Sequence, residues 1–160
     1  MHGWDNFSLG ELGASATLTG LVFVGVSVNL KKITASSNLT NRVLEALIAF
    51  IAVLFVSSLL LIPEQSFLAI GIEVLLVGLI YWITVGLLQL DSLRKMQAQY
   101  RRQFVPYIVF SQIAALSFVI TGVMILIWGP GGLYWLVGAT LLSFLAAFTD
   151  TWILLIEINR

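Results

Sequence analysis

The stretch Leu12–Leu30, LGASATLTGLVFVGVSVNL, decides the fold. It carries no charge between Glu11 and Lys31 and has about the length a helix needs to cross the hydrocarbon core of a bilayer. It is also the least greasy apolar run in the chain, with Gly13, Ala14, Ser15, Ala16, Thr17, Thr19, Gly20, Gly25, Ser27 and Asn29. Small residues let helix backbones approach closely, and hydroxyls bond across helices, so such a span belongs inside a bundle or at an oligomer interface. Gly13, Ala16, Thr17, Gly20 and Ser27 are the expected packing positions. The span reads as the central helix against which the rest of the chain closes. Its polarity selects no solute, because it contains no ionisable group.

Composition extends this reading to the whole chain. Of 160 residues, 59% are hydrophobic and 10% are charged, and the mean hydropathy is +1.02. Soluble domains carry about a quarter charged residues. Five apolar runs, at 12–30, 43–62, 67–90, 107–128 and 133–158, leave no room for a soluble domain. They are too long for barrel strands and lack strict alternation, so they read as helices. The expected fold is all-α: a polytopic, five-span membrane helix bundle forming one domain.

Charge placement sets the orientation. Lys31, Lys32 and Arg42 fall between spans one and two, Arg94, Lys95, Arg101 and Arg102 between three and four, and Arg160 ends the chain; the opposite side holds Asp5, Glu11 and Glu64 without a base. The positive-inside rule puts the N-terminus outside and the C-terminus in the cytoplasm. Trp4, Phe67, Trp128, Tyr134 and Trp135 form an outer aromatic belt, with Tyr100, Tyr107 and Trp152 towards the inner face. Pro63-Glu64-Gln65 and Gly129-Pro130-Gly131-Gly132 are turn chemistry closing two helical hairpins. The segment 91–105 reads either as a solvated loop or as a helical extension lying along headgroups, with Arg94, Lys95, Arg101 and Arg102 as lipid-headgroup contacts.

An ionisable side chain at bilayer depth costs about 2.5–3.5 kcal/mol and needs a partner or a purpose. Glu73 lies two turns inside span three from the outer face, and Asp150 two turns inside span five from the inner face. Either they are waypoints for a proton or cation, or they are interhelical hydrogen-bond anchors. Ser143, Ala146, Ala147, Asp150 and Glu157 share one face of span five. Asn29, Glu45, Gln89 and Gln112 lie at similar depth on other spans, which predicts a polar layer on the cytoplasmic side. Arg42, one turn before Glu45, is placed to pair with it. Gly71 and Gly78 in span three, and Ala114, Ser117 and Thr121 in span four, form further packing stripes.

Cysteine is absent and His2 is the one histidine, which removes disulfides, thiolate chemistry and a histidine metal cluster. No phosphate loop, zinc spacing or catalytic triad is present, so an enzyme is not expected, and neither is a cofactor or a metal. Net charge is zero, and nothing points to nucleic acid. GASATLTGLVFVGVSVNL, followed by RVLEAL and GLYWL, resembles a group of small bacterial membrane proteins loosely labelled modulators of the membrane protease FtsH. That resemblance implies a partner role beside a protease and assigns no functional residue. Two roles follow from the residues. One is an oligomeric channel or transport component for protons, cations or a small solute, built on Glu73, Asp150 and the polar first span. The other is a non-catalytic accessory or scaffold subunit docked on a larger membrane complex. In both, the bilayer is a partner and the chain is a homo-oligomer or part of a complex.

Overall fold

A computed structural model describes residues 3–95 and 98–158, and only the backbone of 98–103 and 157–158. The described chain is helical without a strand: α1 (Trp4–Val28), α2 (Leu30–Thr34), α3 (Ser37–Leu60), α4 (Phe67–Lys95), α5 (Ala98–Trp128), a 3-10 turn (Gly129–Leu133) and α6 (Tyr134–Ile158). Four helical stretches are long and apolar enough to cross a membrane: Trp4–Val28, Ser37–Leu60, Phe67–Lys95 and Phe104–Ile156. The last contains both α5 and α6, which fold back on each other at the 3-10 turn.

The turn chemistry acts where the sequence places it. Glu64 adopts a positive φ of 58° between α3 and α4, and Gly129 one of 55° at the start of the 3-10 turn. Ser66 Oγ accepts the Ala69 amide at 3.2 Å and opens α4 as an N-cap. Helix α1 starts eight residues earlier than its apolar run and breaks at Asn29 before the short α2. The segment 91–105 is helical on both sides of positions 96–97, so the described part of it is helical extension and not loop. Pro106 sits inside α5 and removes one backbone donor there.

The organising helix is α3, which corrects the expectation drawn from Leu12–Leu30. In its most apolar window 61% of α3 is buried, against 11% for α1. α3 touches α1, α2, α4 and α6. Ala46, Ala49, Phe50, Ala52, Val53 and Val56 are all buried, and between Asn41 and Leu60 only a stripe through Leu44, Ile51 and Phe55 is exposed. Helix α1 lies on the outside and packs principally on α3, burying only Ser8 and Ser15. A Cβ added at Gly10, Gly13, Gly20 or Gly25 would meet nothing within 4 Å, and Ala16, Thr17 and Ser27 are exposed. The physical reason is area: a helix of small residues offers little surface to bury and is outcompeted for the centre by one carrying Phe and Val.

Close backbone approach is instead the property of α4 and α5. A Cβ at Gly78 would lie 2.8 Å from the Val119 amide nitrogen, and one at Gly122 would lie 2.6 Å from that of Leu75. In lipid, helices gain nothing by hiding apolar surface from water, so this dispersion contact is what holds the pair together. Gly132 seats the 3-10 turn equally tightly on Ile125.

Candidate functional site

The base-rich end of the bundle holds a buried polar network across four helices. Arg42 Nη1 on α3 donates to Asp150 Oδ1 on α6 at 3.2 Å, and the two side chains are 7% and 6% exposed. The guanidinium also lies over the Phe104 ring, 4.5 Å from its centroid, with Tyr107 at 5.6 Å. These rings on α5 supply the π faces that a desolvated cation favours. One turn along α3, Glu45 Oε2 accepts from Gln89 Nε2 of α4 at 3.0 Å, and Gln89 Oε1 accepts from Gln112 Nε2 of α5 at 2.7 Å. Both Asp150 and Arg42 interact electrostatically with Glu45. Asp150 bonds the guanidinium directly and Glu45 lies near it, with a two-amide relay leading away from Glu45.

A second tie borders this network. Asn41 Nδ2 donates to Asp91 Oδ2 and Ser92 Oγ at 3.0 Å each, and Lys95 Nζ reaches Asp91 Oδ2 at 2.7 Å. This anchors the start of α3 to the end of α4.

The structure brings Glu45, Gln89, Gln112 and Asp150 of the expected polar layer together; the sequence did not indicate that Arg42 would pair with Asp150 or that the Phe104 and Tyr107 rings would lie against it. Arg42 does not take Glu45 as its hydrogen-bonded partner: the guanidinium reaches across to Asp150 on α6, and Glu45 is held by Gln89. Asn29 is not part of the network: its Nδ2 donates to Gly25 O at 3.1 Å on its own helix. Glu73 accepts from Gln65 Nε2 at 2.6 Å beside the α3–α4 turn. It lies sixteen residues from Gln89 along α4, roughly 24 Å at 1.5 Å per residue. The side chains of Glu157, Arg101 and Arg102 lie outside the described residues; Arg94 and Lys95 are exposed.

The interior between Glu73 and the network is mainly apolar, with Ser57, Tyr81, Thr121, Thr140 and Ser143 also buried in it. Phe50, Val53, Val56, Val74, Phe118 and Ile125 belong to one contiguous cluster, each at most 1% exposed. The hydroxyls are turned inward on their own helices. Thr17 Oγ1 bonds Gly13 O at 2.7 Å, Thr19 Oγ1 bonds Ser15 O at 2.7 Å and Thr121 Oγ1 bonds Ser117 O at 2.7 Å. These three hydroxyls are satisfied on their own helices.

The signal that would have assembled the network from sequence is depth. Arg42, Glu45, Gln89, Gln112 and Asp150 lie within a few turns of the base-rich ends of their spans. Depth alone does not say which helices are neighbours. Comparison of the chain with protein families, with curated proteins and with solved structures returns no match.

Proposed function

We propose that the chain is a non-catalytic accessory subunit that crosses a bacterial cytoplasmic membrane five times, N-terminus outside, and docks onto a helix of a larger membrane complex through α1. The observation carrying this reading is the open side of α1, where Gly13, Ala16, Thr17, Gly20 and Ser27 face away from the bundle. Small-residue ridges of this kind suit close contact with another helix. A membrane protease is the partner class that the sequence resemblance implies. The buried network fits the same role, since it cross-links α3, α4, α5 and α6 into a rigid platform.

A transport component is the second reading, and the ionisable cluster Arg42, Glu45 and Asp150 is what favours it. The apolar cluster around Phe50 and Phe118 separates those groups from Glu73 and weighs against a conduit within one protomer.

The natural absence of cysteine makes the test direct. Single cysteines at Gly13 and Gly20 are expected to cross-link to a partner protein in native membranes, while one at Ile80, exposed on α4, is not. A homodimer band would replace the partner with a second copy, and no adduct from either α1 position would overturn the docking role. Proton or cation flux in vesicles that is abolished by Asp150→Asn would establish the transport reading instead.

A further inference from the structure

Helices α1 and α6 both lean on α3 and leave a lateral cleft of about 450 Å³ between them. Its walls are Leu18, Leu21, Val22 and Val26 of α1, Phe50 of α3, and Phe148, Leu154 and Leu155 of α6. Gly25, Asn29 and Thr151 also line it, but their polar atoms are engaged along their own helices. Asn29 Nδ2 bonds Gly25 O, and Thr151 Oγ1 bonds Ala147 O at 2.8 Å. The cleft therefore presents mainly hydrocarbon, which suits a chain of methylenes.

At Asn29 it adjoins a second depression lined by Ser27, Val28, Leu30, Lys31 and Lys32. Both lysines are exposed, on the short helix that follows α1. An apolar slot with two ammonium groups at one end is complementary to an amphiphile with a negative head. We propose that this cleft is a binding site for an acidic glycerophospholipid, one acyl chain lying between α1 and α6 and the phosphodiester headgroup held at Lys31 and Lys32. The site is independent of the docking role and rests only on the membrane placement.

Charge complementarity gives the expected size of the effect. At roughly fivefold per basic side chain beside an anionic headgroup, two lysines give about a 25-fold preference over a zwitterionic lipid of the same chains. The test is native mass spectrometry of the full-length protein released from detergent with equimolar phosphatidylglycerol and phosphatidylcholine of identical acyl composition. Wild type is expected to retain the acidic lipid preferentially, and Lys31→Gln/Lys32→Gln to bring the ratio close to one. Arg94→Gln, which alters a base outside the cleft, is expected to lower the ratio far less than the double lysine variant.

Gly25→Leu places a side chain in the slot from a position where a Cβ meets no atom within 4 Å and is expected to reduce retention of both lipids; Thr151→Leu fills it from the opposite wall. A wild-type ratio within twofold of one would overturn the proposal. So would an equal loss in Arg94→Gln, which would mark general surface attraction. Undiminished retention in both filling variants would remove the cleft from it, and glycerol phosphate bound as tightly as the lipid would make the site one for a free anion.

Discussion

Removing Arg42 is the perturbation that tests the reading of the buried network most sharply. In Arg42→Met the aliphatic stem is conserved in length while the charge disappears. Asp150, 6% exposed on its side chain, then loses its cation, and Glu45 loses the only compensating charge that acts on it among the described contacts. Breaking a buried pair by deleting one partner costs about 3–5 kcal/mol. Asp150→Asn is a milder insult, because the amide oxygen still accepts from Arg42 and the guanidinium keeps Glu45 and the Phe104 and Tyr107 rings. About 1–2 kcal/mol is expected there, the scale of weakening a hydrogen bond to a charged group. The double variant should cost less than the sum of the two, by about 1–3 kcal/mol, since one side chain's loss is already counted in the other's. The measurement is reversible unfolding in mixed lipid–detergent micelles, followed by helicity and tryptophan fluorescence. In thermal terms each kcal/mol is about 2–4 °C for a chain of this size. Equal costs for Arg42→Met and Asp150→Asn, or strict additivity in the double variant, would refute the shared-cation account.

Further outcomes follow from the packing. Gly122→Leu drives a side chain into the Leu75 backbone and should destabilise by about 1–3 kcal/mol or more, whereas Gly20→Leu should leave protomer stability unchanged or raise it by up to about 1 kcal/mol; melting curves of the two variants make the comparison. Gln89→Leu leaves both Glu45 and Gln112 without their partner and should cost about 1–3 kcal/mol, more than Gln112→Leu, as read by the same unfolding assay. Single cysteines introduced at Asp5 and Arg94 should react with an impermeant maleimide from opposite sides of intact cells, and labelling from one side would overturn the orientation read from the charges.

Much of this architecture is written locally in the chain. Each apolar run became a helix because length and hydropathy decide that without reference to neighbours, and Pro63, Glu64 and Gly129 break the chain where helical geometry fails. Helix ends were less legible: α1 runs back to Trp4 and α5 to Ala98, because polar residues continue a helix once an apolar segment has nucleated it. The hydroxyls of Ser15, Thr17 and Thr19 suit bonding across helices, and only the structure shows them bonded to their own backbone.

Leu12–Leu30 marks the boundary between the two kinds of information. Sequence alone determined that this stretch is an apolar helix suited to close packing. Only the tertiary structure decided that this helix lies on the outside of the bundle, packed on α3 along one side, because position in a bundle depends on which helix buries the most contact area, and α3 does. Likewise, the sequence set an acid one turn from Arg42, but the ion pair formed with Asp150, 108 residues away. Charge pairing is settled by which helices meet, and that is a property of the assembled chain.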